Sequence, residues 1–340
     1  MHPALLNSNE DVEWRTVGEN DFPPASQTPS DAWRACQMHT LRLLTQAQET
    51  DRALRERITM LGQAAQLTDQ FYTLRMPALL QKVAAGDMAE CEVIDHIAGG
   101  CTAVLDRIGA LWTRELLPAL ATDDIYIVEP ETLSPDRQAW LFDYYQRQIF
   151  PLLTPQAVDA SRPFPHIPDG ALTLLAQLQE PFPVGDGDAH LFVTITIPSA
   201  GPRLIPLPAT GTRSCAYAWR EDAVRYFAHA LFPGLNVLSL HLFRVLRARA
   251  EGDLYGGQSS MAANVTAPVM RLDVELATPP SLLDWLDRHL HQPDSVIVRS
   301  HTPLAQADLV TIAAQLPERR NWLPAWLRRL YRRTIRGRKG

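Results

Sequence analysis

Lysine is almost missing from this chain. Of its 32 basic residues, Lys82 and Lys339 are the only lysines and thirty are arginine. Neither lysine follows a GxxxxG stretch, so no loop of the Walker type is present to cradle nucleotide phosphates. A Schiff-base mechanism would have to use Lys82, which lies in an amphipathic, helix-like context. Genome bias accounts for the arginine preference; selection for bidentate phosphate contacts is the functional alternative. Long apolar runs are also missing. None reaches the roughly 18 residues expected of a membrane-spanning helix. The start of the chain lacks the basic and apolar stretches of a secretory signal. The four cysteines, Cys36, Cys91, Cys101 and Cys215, lie far apart with no CxxC pair. They read as reduced, buried thiols of a cytoplasmic protein.

What is present is ordinary in bulk and uneven in charge. The chain has 340 residues, 46% hydrophobic and 21% charged, enough for two domains with their own cores. Residues 319–340 carry nine basic groups and no acid. The other 318 residues hold 23 basic groups against 38 acids. An acidic body with one cationic end is not a uniform nucleic-acid-binding surface; it has a single local anion-seeking element.

Residues 31 to about 120 read as helices. Ser30 and Asp31 are expected as caps before Trp33. Leu41, Leu44, Leu54, Ile58 and Leu61 recur near helical spacing, with a polar break from Gln46 to Arg52. A third helix is expected from Leu67 to Val83, and a fourth from Cys91 to Leu117, interrupted at Gly99-Gly100. Such apolar stripes form the packing faces of a bundle. After Pro118 the texture changes. Ile125–Val128 reads as a strand, and Ser134-Pro135-Asp136 opens a helix with serine as cap. A proline-rich connector covers Pro151 to Pro168. Strands are expected at 171–178, 191–197, 204–207, 237–245, 269–276 and 295–298, and helices at 221–231, 281–290 and 307–316. The alternation through Phe192–Ile197 is a clear period-two signal. The whole predicts an α+β multidomain protein: a lead-in at 1–30, a helical bundle at 31–121, an α+β head with a mixed sheet at 122–317, and a basic amphipathic helix in the tail at 318–340.

In this order the elements become familiar. Asp69–Arg75, Glu115–Leu120, Phe150–Asp159 with Arg162–Pro165, Ile197-Pro198-Ser199 with Pro202-Arg203-Leu204, Leu231–Gly234 with His241–Val245, and Arg271–Glu275 are each similar to stretches of the large bacterial polyphosphate kinase family. Together, over roughly 280 residues, the chain resembles the helical and head domains of that family. The resemblance does not extend to the two catalytic domains, which in the family carry the phosphate on a histidine flanked by arginines and a metal ion. It therefore implies a module without catalytic residues, resident cofactor or metal of its own. ATP and Mg²⁺ would enter only alongside catalytic domains on another chain. Leu67 replaces the asparagine with which the family's helical domain contacts nucleotide, and leucine cannot form that hydrogen bond. The family's head domain dimerises, so the resemblance also implies a homodimer or association with a full-length polyphosphate kinase.

Other candidates weigh less. His289 and His291 lie two apart on a helix and face different sides, which disfavours a shared metal. His241 reads as structural, and Gly185–Asp188 as a turn rather than a calcium loop. Arg203 and Arg244 read as buried ion-pair partners. In the tail, Pro324 opens a helix with Trp322, Trp326 and Leu330 four apart. Arg328, Arg329, Arg332, Arg333, Arg336, Arg338 and Lys339 crowd its remaining surface. Three readings compete for it: a solvated terminus, an anion-binding helix for polyphosphate or nucleic acid, and a helix lying on a membrane surface.

Overall fold

The computed structural model describes residues 29–85, 89–158, 164–180, 190–209, 214–249, 267–290, 296–300 and 303–317. The helical part comprises α1 (Pro29–Ala47), α2 (Leu54–Leu74), α3 (Met76–Ala84) and α4 (Ala89–Leu111), with a π turn (Trp112–Leu116) leading into α5 (Leu117–Thr122). Ser30 and Asp31 do not cap α1, because the helix already begins at Pro29. Asp31 instead sits in the first turn, where its charge suits the helix dipole. Leu67 does not start a new helix. It lies inside α2, whose buried stripe runs from Ile58 through Leu61, Ala65 and Thr68 to Tyr72. The break comes at Arg75, because Pro77 fits only a first helical turn and so opens α3. Gly99-Gly100 does not interrupt α4 either. A Cβ on Gly100 would stand 2.7 Å from the Trp33 ring, so glycine there admits the indole of α1.

The rest is built on two mixed sheets. The larger has the order β2-β4-β3-β7-β8-β9. Its strands are β2 (Gln156–Val158), β3 (Leu172–Gln179), β4 (His190–Thr196), β7 (Asn236–Arg247), β8 (Val269–Glu275) and β9 (Val296–Ser300). All pairs are antiparallel except β8 with β9. A smaller sheet joins β1 (Ile125–Ile127), β6 (Cys215–Trp219) and β5 (Leu204–Pro206), with β1 and β6 parallel. Ser134 occupies the N-cap position of α6 (Pro135–Tyr144), but its hydroxyl makes no capping bond. Two further helices follow in the head, α7 (Arg220–Tyr226) and α8 (Pro280–Leu290).

Period-two burial sorts the large sheet into two faces. Leu172, Leu174, Ala176 and Leu178 of β3 pack with Leu141, Tyr145, Val224 and Phe227 from the α6–α7 side. Leu175, Phe243, Val245, Leu272 and Val274 pack against Leu282 and Leu286 of α8. The last described helix, α9 (Leu309–Gln315), belongs to neither layer. Its Leu309, Ile312 and Ala313 enter the helical core beside Leu61, Phe71 and Ile97, more than two hundred residues earlier in the chain. The four cysteines are free thiols; Cys36 and Cys101 are buried as expected, while Cys91 and Cys215 are only half-buried. Among the described residues, no helix is long and apolar enough to cross a membrane.

Candidate functional site

α2 carries both the position expected to matter for nucleotide and the acid next to it. Leu67 is 1% exposed, inside the helical core, and its carbonyl accepts a bond from the Cys36 thiol at 3.7 Å. Two residues on, Asp69 faces the large sheet. One of its carboxylate oxygens accepts from Arg244 of β7, the other from Arg271 of β8 at 2.5 Å. Arg271 is also held by Asp273 on its own strand, Nε to Oδ1 at 2.6 Å and Nη2 to Oδ2 at 3.0 Å. Arg244 Nη1 lies 3.4 Å from the same carboxylate. The Tyr72 ring covers the Arg271 guanidinium at 5.2 Å, and Cys101 Sγ accepts from Arg271 Nη1 at 3.6 Å.

This quartet is balanced, two acids against two guanidiniums. Burial pushes the Asp69 carboxyl up, but Arg244 and Arg271 more than offset that and hold it below the usual carboxylate range. Burial works against the Arg271 charge as well, yet Asp273 and Asp69 keep it protonated. The Cys101 thiol beside them is pushed up to about 12, chiefly by burial. The cluster borders a cavity of about 10 Å³, which also meets Ser300 and Gln306. That is room for one water and far too little for a nucleotide.

A second, half-buried cation ties the middle of the head to the segment before α9. Arg203 donates to Glu221 Oε1 from Nε at 3.0 Å and Nη2 at 2.6 Å, to Asp308 at 3.1 Å, and to the carbonyls of Leu304 and Ala305. Its guanidinium also lies over the Trp219 ring, 5.0 Å from the centroid. Ala305 there has φ of 50°, a left-handed conformation that costs a non-glycine residue about 1 kcal/mol. Both arginines singled out in the sequence are thus ion-pair partners, Arg244 buried and Arg203 half-buried. Their acids, in α2, β8, α7 and the turn before α9, carried no local signal.

A third group lies between α7 and the sheet. Arg225 binds Glu275 at 2.5 Å, and Glu275 also accepts from the Leu242 amide at 2.9 Å. Burial, then the neighbouring Glu221 charge, pushes the Asp222 carboxyl up to about 7. Burial lowers His241, whose Nε2 has no hydrogen-bond partner. His289 bonds the Trp285 carbonyl through Nδ1 at 2.7 Å, a local helix contact. Among the described residues, no group of three or more His, Cys, Asp or Glu could hold a metal ion. On the surface, a groove of about 340 Å³ separates α1 from α4, lined by Trp33, Arg34, Gln37, Glu92 and His96 among others. The tail candidates Arg328, Arg329, Arg332, Arg333, Arg336, Arg338 and Lys339 lie outside the described residues, as do Gly185–Asp188 and His291.

The quartet draws together Asp69, Arg244, Arg271 and Asp273, from three of the stretches on which the family resemblance rests. The pattern of the polyphosphate kinase middle domain matches residues 136–312, and that of the N-terminal domain matches 38–128. The chain belongs to the polyphosphate kinase family. Polyphosphate kinase of Streptomyces coelicolor is 29% identical over 286 residues, 80% of this chain and 37% of that one. The polyphosphate kinase of Erythrobacter litoralis is 27% identical over 312 residues, covering 86% and 42%. This chain therefore spans about two fifths of the length of these relatives. The crystal structure of polyphosphate kinase from Porphyromonas gingivalis superposes with a TM-score of 0.68 at 20% identity, covering 83% of this chain and 40% of that one. That likeness shows the α+β fold, a helical region followed by mixed sheets, shared with this polyphosphate kinase.

Proposed function

We propose that this chain is a cytoplasmic, non-catalytic assembly module of the polyphosphate kinase family. It associates through its head with a second copy or with a full-length kinase, and grips polyphosphate with its arginine-rich tail. One observation carries the reading. Where a nucleotide contact would fall, Leu67 is sealed into the core, and the cations nearby are matched by Asp69 and Asp273. A guanidinium held on both sides by carboxylates stabilises the junction of helix and sheet; it is not presented to a phosphate. Phosphoryl transfer needs a nucleophile and charge neutralisation around the moving group, so ATP and Mg²⁺ act only with catalytic domains elsewhere.

The test is direct. Purified chain given labelled ATP and Mg²⁺ should form no acid-labile phosphohistidine and lengthen no polyphosphate; labelling of this chain alone overturns the proposal. Polyphosphate retained on a filter by the full chain, and released on deleting residues 319–340, supports the grip. Retention after deletion removes the tail from it. Vesicle flotation lost with the same deletion would mark the tail as a membrane element instead.

Family membership favours a second reading, a subunit of an ATP:polyphosphate phosphotransferase completed by catalytic domains on another chain. Activity appearing only when this chain is mixed with such domains would decide for it.

A further inference from the structure

The cavity of about 10 Å³ beside the quartet is bordered by two buried polar side chains that the protein satisfies only in part. Arg244, 5% exposed, turns Nη2 to Asp69 and Nη1 to Asp273. Its Nε–H is buried and meets no acceptor among the described residues. Gln306, 4% exposed, donates through Nε2 to the Leu105 carbonyl of α4 at 3.3 Å. Its Oε1 is buried and meets no donor among them. The backbone here is strained. Ala305, left-handed at φ 50°, turns the chain immediately before Gln306, and Arg203 holds that turn through the Leu304 and Ala305 carbonyls.

One donor and one acceptor beside a single small space decide what can fill it. Apolar cavities stay dry, but a buried N–H and a buried carbonyl oxygen left unpaired cost more than immobilising a water. The volume admits one water and nothing larger. Charge excludes an ion. The quartet already balances two carboxylates against two guanidiniums, so a cation would meet Arg244 and Arg271, and an anion would meet Asp69 and Asp273, with no counter-charge left for either. Water is neutral and can both donate and accept, as Arg244 Nε and Gln306 Oε1 require.

We propose that one internal water occupies this cavity, accepting from Arg244 Nε–H and donating to Gln306 Oε1. Asp69, Asp273 and Ser300 border the same space and offer its second proton an acceptor. The water joins β7 to the turn before α9. It also makes the quartet and the Arg203 cluster one network: Arg203 holds Ala305, Gln306 follows it, the water reaches Arg244, and Arg244 holds Asp69. The site is independent of assembly and of the tail.

Nuclear magnetic resonance of the full chain, labelled with ¹⁵N-arginine, tests it. In the wild type, Arg244 Nε–H should show a cross-peak to a long-lived water. Gln306→Met keeps the reach of the side chain and removes the acceptor, so the water should leave and the cross-peak be lost. A wild-type Arg244 Nε–H without that cross-peak overturns the proposal. A cross-peak that persists in Gln306→Met overturns Gln306 as the second partner. Should the variant fail to fold, a crystal structure of the wild type decides alone. Water density within hydrogen-bond distance of both atoms supports the site. An empty cavity, an anomalous signal there from soaked bromide, or a direct contact between Arg244 Nε and Gln306 Oε1 overturns it.

Discussion

Gly62 of α2 lies directly beneath Val310 of α9. A Cβ built on Gly62 would stand 2.5 Å from the Val310 backbone nitrogen and 2.7 Å from its Cγ2. Two helices from opposite ends of the chain meet here with no room for a side chain, and Arg55 of α2 holds the end of α9 by donating to the Leu316 carbonyl at 2.5 Å.

Gly62→Ala tests this contact by its sign. In an exposed helix the change would stabilise by roughly 0.5–1 kcal/mol. Here the methyl group meets backbone, so a loss of about 1–3 kcal/mol is expected. Urea denaturation reads the loss, and limited proteolysis near residues 309–316 should quicken as α9 lifts.

Removing one member of the quartet should be costly. Arg271→Met leaves Asp69 and Asp273 buried with too little opposing charge, for an expected loss of about 3–5 kcal/mol. The pH dependence follows from the direction of the Asp69 shift. Its carboxyl is held below its unfolded value, so its contribution is full above about pH 4 and is lost as pH falls through the folded value. Asp69→Asn should therefore be less stable than wild type at pH 7, with the gap closing on acidification. A gap independent of pH would remove the ionised pair from the account.

Asp222 behaves in the opposite way. Its folded value of about 7 lies above the ordinary carboxylate range, so its contribution is full below about pH 4 and declines as pH rises through 7. Asp222→Asn should match wild type near pH 4 and exceed it by about 1–2 kcal/mol at pH 8, after allowing for partial solvent screening. Denaturation curves at the two pH values give the comparison, and equal curves at pH 8 would count against a buried, protonating acid.

Leu67→Asn introduces the residue type that the family resemblance implies for this position. Since position 67 is closed off in the core, the amide should gain no nucleotide contact and should lose about 2–4 kcal/mol through cavity and desolvation. Calorimetric titration with ATP checks the first half. Heat of binding by the variant would mean that the core opens at this position.

Much of the architecture was legible residue by residue. The alternation through Phe192–Ile197 marked β4, and the motif-like stretches ran in family order. β6 escaped notice because Cys215–Trp219 alternates small alanines with partly buried aromatics, and its place is set by pairing with β1 and β5 rather than by a local hydrophobic signal. β2 was hidden inside the proline-rich connector for the same reason, three residues paired only with β4. The Gly99-Gly100 pair looked like a break because the partner that needs the gap, Trp33, lies on another helix.

Read alone, the chain's spacing of apolar residues and turn formers determined where most helices and strands lie, and the succession of its short stretches placed it among the polyphosphate kinases. These are properties of neighbours within a turn or a strand length. Tertiary structure alone decided that Asp69 meets Arg244 and Arg271, 175 and 202 residues away, and that α9 closes the helical core. The reason is that a buried charge is tolerated only where its counter-charge is delivered in space. No local pattern records which distant residue the folded chain will bring there.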